Sequence, residues 1–180
     1  MKVLSTEIEG VFIIEPLRFE DSRGYFFESY NKEKFEEAGL SYDFVQDNQS
    51  KSGFGTVRGL HFQRGSHAQA KLVRVLEGAV IDVAVDLRPG SKTYGKHVAV
   101  ELSAANNRQL MIPRGFAHGY AVISNEAVFF YKCDNYYNKE SEGGLYFNDP
   151  ALGIDWKINP KDAVLSEKDK VLPMLKDLGI

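Results

Sequence analysis

The feature that most constrains this chain is a succession of short runs rich in Val, Ile, Phe and Tyr, separated by turn residues such as Arg88-Pro89-Gly90 and Asn106-Asn107. Such runs favour β-strands, and clusters of Gly, Pro and Asn mark the turns between them. The runs cover residues 11–15, 24–30, 56–62, 71–77, 80–87, 97–102, 109–113, 118–124 and 128–133. Many evenly spaced strands with little helix predict an all-β sandwich or barrel, of which the jelly roll is one form. Such a fold can enclose a ligand cavity between its sheets.

Alternation is clearest in residues 80–87, where one face carries apolar side chains and the other carries two carboxylates. The apolar face holds Ile81, Val83, Val85 and Leu87, and the opposite face holds Asp82, Ala84 and Asp86. Only two segments have a helical pattern. Asn31 is a candidate N-cap for residues 32–38, which end at Gly39. Ser166 is a candidate start for a second helix over 167–178, although Pro173 would interrupt it.

Length, charge and cysteine content exclude several classes of protein. A chain of 180 residues fits one domain, and we predict a single jelly-roll domain over 1–180. The net charge of −3 provides no basic field for nucleic acid or a membrane surface. The single cysteine, Cys133, cannot form an intrachain disulfide, and residues 1–16 lack the apolar core of a signal peptide. No run is long enough to span a membrane, so we expect a cytoplasmic protein.

Two of the four histidines lie in strand contexts that also contain polar residues. His61 follows Arg58-Gly59-Leu60, and His118 ends Pro113-Arg114-Gly115-Phe116-Ala117-His118, which resembles the later metal-binding motif of the cupin superfamily. Metal-binding cupins also carry a His-x-His pair, but here Gln63 follows His61 at that spacing. Zinc and iron usually need three or four side-chain ligands, so we predict no metal site. From pattern alone, either histidine fits a hydrogen-bonded core residue equally well.

Lys71 and Tyr131 are two further candidates for chemistry. Lys71 shares a strand face with Val73 and Val75. A lysine that points into a barrel is costly unless it meets an anion, whereas one at the rim is simply solvated. Tyr131 lies in Phe129-Phe130-Tyr131-Lys132-Cys133 and fits a plain core tyrosine as well as a phenol with a polar partner.

Taken together, the motifs resemble the dTDP-4-dehydrorhamnose 3,5-epimerase family, a metal-free branch of the cupin jelly rolls. The resemblance covers nearly the whole chain, and its strength lies in several motifs occurring in order. The motifs are residues 21–28 (DSRGYFFE), 44–50 (FVQDNQS), 57–63 (VRGLHFQ), 71–75 (KLVRV), 113–119 (PRGFAHG), 131–137 (YKCDNYY) and 166–169 (SEKD). It implies a homodimer that needs no metal or organic cofactor and inverts the two carbons beside the C4 ketone of a dTDP-linked 6-deoxy sugar. The absence of dinucleotide and phosphate-loop fingerprints agrees with a reaction that needs no redox cofactor.

The resemblance also implies catalytic roles. His61 corresponds to the general base, and Asp169 to the carboxylate that fixes its tautomer, although Ser166-x-x-Asp169 is also close to a helix capping box. Lys71 corresponds to the cation beside the enolate oxygen, and Tyr131 to the proton donor, whose donation we expect the nearby Lys71 to ease.

Ten further residues are expected to bind substrate. Arg23 and Arg58 suit a diphosphate, because a guanidinium offers paired donors to phosphate oxygens. The others correspond to family positions and are Glu28, Gln46, Asp47, Asn48, His118, Tyr137, Glu142 and Lys168. A regular strand would aim Arg58 and His61 at opposite faces, because they are three positions apart. A bulge at Gly59 would resolve this, or else Arg58 acts at the cavity mouth.

Several other functions share much of this pattern. An epimerase acting at one carbon only, or a cupin ketoisomerase of dTDP-sugars, would use the same kinds of residue. A non-catalytic carbohydrate-binding jelly roll would not need a base, a cation and an acid together, and a metal-dependent cupin would need more ligands. The sequence does not distinguish inversion of one carbon from inversion of both.

Overall fold

The computed structural model describes residues 1–179, in which nearly all regular structure is β. Its single α-helix, α1, spans Lys32–Glu37, and five short 3-10 turns complete the regular structure of these residues. The strands are β1 (Lys2–Ser5), β2 (Phe12–Glu15), β3 (Phe19–Asp21), β4 (Gly24–Phe26), β5 (Gln46–Gly53), β6 (Val57–Gln63), β7 (Lys71–Glu77), β8 (Ala79–Asp86), β9 (His97–Ser103), β10 (Gln109–Ile112), β11 (Phe116–Val122), β12 (Glu126–Cys133) and β13 (Glu142–Gly144).

The strands form two antiparallel sheets that pack face to face. One sheet has six strands in the order β1-β2-β10-β7-β12-β5, and the other has five in the order β13-β6-β11-β8-β9. Strands β3 and β4 form a separate hairpin. Neighbouring strands in each sheet are mostly distant in sequence, as in a jelly roll, in which the chain crosses repeatedly between the sheets. The predicted all-β jelly-roll fold is therefore confirmed.

The space between the sheets contains the main apolar core. Val73, Val75 and Phe129 of the six-stranded sheet pack with residues of the other sheet such as Leu102 and Val122. Phe129 is completely buried. Burying a side chain of this size contributes about 1.5–3 kcal/mol relative to exposure. Because side chains alternate along a strand, the inner face that holds Val73 and Val75 also holds Lys71, as the sequence pattern indicated.

The outer faces of both sheets are also partly covered. Leu145, Phe147 and Trp156, from the segment that follows β12, pack with Val83 and Val85 of β8 on the five-stranded sheet. Strand β8 is consequently buried on both faces, and its apolar face lies outside the cavity. The six-stranded sheet is covered at one end by helix α1 and the residues after it, namely Phe35 and Leu40, which pack on Ile14, Leu72 and Met111.

Most predicted strands are present, with ends shifted by one or two residues. The strand predicted over 24–30 is wrong in its second half, because β4 ends at Phe26. Two contacts turn the chain away there. Gln109 Nε2 donates to the Ser29 carbonyl over 2.8 Å, and Asn31 caps helix α1, in which the helical backbone begins at Lys32. Strands β1, β3, β5 and β13 lie outside the predicted runs, and the polar β5 lacks the Val, Ile and aromatic residues on which strand prediction depends.

The first predicted helix is confirmed and the second is wrong. Asn31 Oδ1 accepts a hydrogen bond from the Lys34 amide, as expected of an N-cap. Residues 166–178 instead form 3-10 turns at Asp169–Val171 and Leu175–Asp177. Pro173 lies between the turns, where it has no amide hydrogen to continue a helix. No helix in residues 1–179 is long and apolar enough to cross a membrane.

Strand β6 contains the bulge that the spacing of Arg58 and His61 required. His118 of β11 pairs with His61, and Tyr120 pairs with Arg58, so β6 has one more residue than β11 between the two pairs. Gly59 has a φ of +121°, and a Cβ there would come within 2.6 Å of Gly119 Cα, so only glycine fits. The extra residue changes the alternation and lets Arg58 and His61 face the same cavity.

Candidate active site

A cavity of about 530 Å³ opens between the two sheets. Its wall contains charged, phenolic and imidazole groups together with apolar residues such as Phe129 and Leu165. The predicted site residues that line it are Asn48, Arg58, His61, Lys71, His118, Tyr131, Lys168 and Asp169. Strands of both sheets and the segment 164–169 therefore converge on one chamber, whose size suits a small organic ligand.

His61 and Asp169 form a hydrogen-bonded pair at this cavity. His61 Nε2 lies 2.6 Å from Asp169 Oδ1, and Asp169 is only 4% exposed. The Asp169 amide also donates to Ser166 Oγ over 3.2 Å, so half of the anticipated capping box exists, while the carboxylate serves the histidine. Burial opposes ionisation of Asp169, but the hydrogen bond and charge of His61, together with Ser166 and Lys168, outweigh it and hold the pKa of Asp169 below its usual value. The anionic carboxylate favours a proton on His61 Nε2 and leaves Nδ1 as the basic atom.

Lys71 projects into the cavity from β7 without a fixed partner. Its Nζ lies 5.6 Å from the centre of the Tyr131 ring. This ammonium nitrogen makes no hydrogen bond or ion pair with any other residue in the range 1–179. Burial lowers the pKa of Lys71, while Cys133, Asp82 and Glu142 oppose that change. The ammonium therefore has free donors for an oxygen of a bound ligand.

Tyr131 lies beside Lys71 on the neighbouring strand β12. Its ring is tilted against Phe129 at 6.0 Å between centres, and no other residue in 1–179 is hydrogen-bonded to its hydroxyl. Burial raises the pKa of Tyr131 to about 12, with Cys133 and Tyr120 acting in the same direction. Arg58 opposes this rise, and the expectation that Lys71 eases proton donation stays a prediction. The phenol is fully protonated at neutral pH, which is the form required of an acid.

The two candidate proton-transfer groups lie on opposite walls. His61 belongs to β6 of the five-stranded sheet, whereas Tyr131 and Lys71 belong to adjacent strands of the six-stranded sheet. A ligand between the sheets therefore has a base on one face and a proton donor with a cation on the other. That arrangement can remove a proton from one face of a carbon and return one to the other face.

A second imidazole–carboxylate pair was not identified as part of the site from the sequence. Both oxygens of Asp82 lie within hydrogen-bonding distance of His118 Nε2, at 3.1 and 2.9 Å. Asp82 is completely buried and His118 is 7% exposed. The available signal was a carboxylate among the apolar residues of β8, but nothing in the sequence indicated its partner.

Polar residues of β5 hold several groups at the cavity. Ser52 Oγ accepts a hydrogen bond of 3.0 Å from Arg58 Nε, which leaves the outer nitrogens of this exposed guanidinium free. Asn48 Nδ2 approaches Cys133 Sγ at 3.7 Å. Gln46 does not line the cavity, but its Nε2 donates to Asn48 Oδ1 over 3.0 Å.

Glu142, Lys168 and Tyr137 form a polar cluster beside His61. Lys168, which lines the cavity, makes an ion pair with Glu142, and the Tyr137 hydroxyl donates to Glu142 Oε2 over 3.2 Å. Burial opposes ionisation of Glu142, but Lys168 and Tyr137 lower its pKa overall, aided by His61. Tyr137 is 55% exposed, so its ring is available to a ligand that extends outwards.

Besides Gln46, Tyr137 and Glu142, three further predicted binding residues do not line the cavity of this chain. Asp47 is on the opposite face of β5 from Asn48 and makes an ion pair of 2.9 Å with Lys132. Arg23, on the β3–β4 hairpin, is paired with Asp21 at 2.5 Å. Glu28 is paired with Lys34 and accepts a hydrogen bond of 3.1 Å from Asn31. Their roles in substrate binding remain predictions.

The donor set around the cavity does not form a metal-binding cluster. Residues 1–179 contain no group of three or more His, Cys, Asp or Glu side chains arranged to hold a metal ion. His61 and His118 are paired neighbours on adjacent strands, but each directs its Nε2 at a carboxylate.

Comparison with known proteins agrees with this geometry. A jelly roll with histidine–carboxylate pairs and a phenol around an interior cavity defines an enzyme of the cupin type that is equipped for acid–base chemistry. Residues 5–177 match the family model described as dTDP-4-dehydrorhamnose 3,5-epimerase. The chain belongs to this family and is an epimerase.

Individual relatives match along almost their whole length. The dTDP-4-dehydrorhamnose 3,5-epimerase of Salmonella typhimurium is 53% identical over 97% of this chain and 96% of its own length. The crystal structure of that enzyme from Elizabethkingia anophelis has 61% identity and a TM-score of 0.94, covering 98% of this chain and 97% of its own. A Legionella pneumophila epimerase in complex with dTDP-4-keto-L-rhamnose has 47% identity and a TM-score of 0.94, covering 98% and 94%.

Proposed function

We propose that this chain inverts C3 and C5 of dTDP-4-dehydro-6-deoxy-D-glucose and so produces dTDP-4-dehydro-L-rhamnose. The observation that carries the proposal is the placement of His61 on one cavity wall and of Tyr131 with Lys71 on the other. Inversion beside a ketone needs a base, a stabilised enolate oxygen and an acid on the opposite face. The Legionella relative, with its bound dTDP-4-keto-L-rhamnose, supports the same class of ligand here.

The first step is proton abstraction by the His61–Asp169 pair. His61 Nδ1 takes the proton from the carbon beside the ketone, and the electrons of that C–H bond form a C=C bond to C4 while the carbonyl oxygen becomes an enolate. Asp169, at 2.6 Å from Nε2, stabilises the imidazolium that results. Lys71 supplies the cation beside the enolate oxygen, and the burial that lowers the pKa of Lys71 also strengthens this attraction.

The second step is proton return from the other wall. The Tyr131 hydroxyl gives its proton to the same carbon from the opposite face, and the enolate reverts to the ketone. His61 then loses its added proton and the phenolate regains one from water, so the site is ready for the second carbon. With a pKa of about 12, the Tyr131 phenolate is basic enough to regain its proton at once. The same base and acid serve C3 and C5.

The nucleotide end of the substrate is assigned to the cavity mouth. Arg58 is exposed and lines the cavity, and Ser52 holds its Nε while its outer nitrogens stay free, an arrangement that suits paired contacts to phosphate oxygens. The remaining polar contacts to sugar and base are assigned to Gln46, Asp47, Asn48, His118, Tyr137, Glu142 and Lys168. Tyr137 has no derived role beyond contact.

We also assign the active form to a homodimer in which the β3–β4 hairpin reaches the partner's cavity. Phe19, Tyr25 and Phe26 on this hairpin are each more than half exposed, an apolar surface that needs cover. Arg23 and Glu28 lie on or just after the hairpin and outside the cavity of their own chain. A dimer covers the aromatic side chains and allows these two residues to reach substrate across the interface.

Subunit mixing tests this arrangement. His61→Asn and Arg23→Ala homodimers should each have little activity, while an equal mixture, dissociated and reassociated, should regain about a quarter of the wild-type sites. Half of the dimers would be mixed, and each mixed dimer would have one intact site. Light scattering should show a dimer at micromolar concentration. A stable monomer, or no recovery after verified exchange of subunits, would contradict the shared site.

Activity should survive exhaustive chelation, because proton transfer here uses only side chains. The measurement is turnover before and after treatment with a chelator, with metal content determined by elemental analysis. Loss of activity that zinc, iron or manganese restores would show a metal-dependent site instead.

The proposed function is tested by incubation with dTDP-4-dehydro-6-deoxy-D-glucose and NMR of the product. Inversion at both carbons is the expected result. Inversion at one carbon would indicate a single-carbon epimerase, and movement of the carbonyl would indicate a ketoisomerase.

We assign the whole of 1–180 to one catalytic domain, since both sheets line the cavity. We also assign the protein to the cytoplasm, in keeping with its buried free Cys133.

A further inference from the structure

Asp82 is the one fully buried carboxylate near the cavity to which the proposed mechanism gives no role. It lies on β8, on the same face as Val80 and Ala84, which belong to the core between the sheets. Among the residues that the structure describes, only His118 lies within hydrogen-bonding distance of its oxygens, with Nε2 at 3.1 and 2.9 Å. A buried carboxylate is expensive unless its charge serves a nearby cation, because desolvation penalises the ionised form.

The other groups around Lys71 show why the negative charge of Asp82 is important for the lysine. Cys133, its register neighbour on β12, raises the pKa of Lys71 only as a thiolate, and burial raises the pKa of this thiol to about 11, so it is neutral at neutral pH. Tyr131 is protonated and Asn48 is uncharged. Glu142 of β13 is negative but already paired with Lys168. The imidazoles of His61 and His118 lie on the facing sheet, and each is engaged by its own carboxylate.

Unlike Glu142, Asp82 has no lysine or arginine partner within residues 1–179, and unlike Asp169 it has no role in the proposed proton transfer. Lys71 and Asp82 project from facing sheets into the space between them. Within residues 1–179, Lys71 makes no ion pair with a carboxylate, and Asp82 makes none with a lysine or arginine. The hydrogen bond from His118 fixes the orientation of Asp82 without needing a charge on the imidazole. Asp82 also acts to raise the pKa of Lys71, against the larger effect of burial.

We propose that Asp82 is a positioning residue that acts as the internal counter-charge of Lys71, keeping the ammonium protonated and ready for the enolate oxygen, while His118 holds the Asp82 carboxylate in place. This inference rests on the proposed function of Lys71. It predicts that the alkaline limb of the pH profile of kcat reports deprotonation of Lys71. Removal of a nearby negative charge disfavours the cation, so the limb should move to lower pH.

The test compares pH profiles of kcat for wild type, Asp82→Asn and His118→Asn. Asp82→Asn is expected to move the alkaline limb down by about 0.5–1 unit. His118→Asn keeps a donor for Asp82, so it should change KM and leave the limb where it is. An unmoved limb in folded Asp82→Asn, or the same movement in both variants, would overturn the counter-charge role. Failure of the proposed function itself would be distinct, since the wild-type protein would then not turn over the substrate.

A double variant keeps the inference testable if Asp82→Asn does not fold. Lys71→Met removes the cation that Asp82 balances, so Asp82→Asn/Lys71→Met should recover the folding, measured by circular dichroism and thermal unfolding, that the single variant loses. If the double variant is as unstable as Asp82→Asn alone, the two charges do not interact and the inference is wrong.

Discussion

His61→Asn should abolish both inversion and deuterium exchange at C3 and at C5. Asparagine keeps a polar group near Asp169 but cannot accept the proton of a carbon acid. Loss of a general base typically costs about 10²–10⁴-fold in rate, or about 3–5 kcal/mol of transition-state stabilisation. The measurement is solvent deuterium uptake followed by NMR together with the rate of product formation. Because one base serves both carbons, exchange at the two positions should be lost together.

His67→Asn is the matched control for this variant. His67 lies in the 3-10 turn Gly65–His67 and its side chain does not line the cavity, so turnover should stay near wild type. Exchange that persists at one carbon in His61→Asn would mean that a second base acts there, and the one-base account would fail.

Tyr131→Phe should separate exchange from inversion. The substitution keeps the ring against Phe129 and deletes only the hydroxyl, while His61, Lys71 and the substrate contacts remain. An enolate can still form, and the proton that His61 removed can return from its own side with retention of configuration. Deuterium should therefore enter the substrate faster than the inverted product appears, with inversion slowed by about 10²–10⁴-fold.

Tyr94→Phe controls for loss of a phenol elsewhere, since Tyr94 is partly exposed and outside the cavity lining. If Tyr131→Phe inverted at the wild-type rate, Tyr131 would be only a core aromatic residue. Tyr137 or a water molecule would then be the better candidate for the acid.

The sequence predicted the fold well where local pattern matches burial. In β7 the alternation of Lys71, Val73 and Val75 placed all three on the inner face, because a strand buried on one face repeats every two residues. The capping of α1 by Asn31 was likewise a local property. The helix predicted over 167–178 failed because its residues are held by distant partners, such as Asp149 Oδ2, which accepts from the Leu175 amide at 2.6 Å.

The candidate site was less completely predictable, because its geometry depends on pairing between strands. Family resemblance identified His61 and Asp169, which are 108 positions apart, and the structure brings them to 2.6 Å. The pairing of Asp82 with His118 had no such signal. The direction of Asp47, away from the cavity, depends on the register of β5. The sequence did not predict this strand, because its residues are mostly polar.

The bulge in β6 shows how a steric argument can resolve a conflict in the pattern. The three-residue spacing of Arg58 and His61 conflicted with a regular strand, and Gly59 was the residue that could absorb an extra position. The structure places the bulge there, with both side chains at the cavity.

The central claim is that one acid–base site inverts two carbons, and its most direct test is the location of deuterium after turnover in heavy water. Wild-type protein is incubated with dTDP-4-dehydro-6-deoxy-D-glucose in D₂O, and the product is examined by NMR, with His61→Asn as the blank. The account predicts solvent deuterium at both C3 and C5 of an inverted product, and none at either position with His61→Asn. Deuterium at only one carbon, or label in the blank equal to that of wild type, would contradict it.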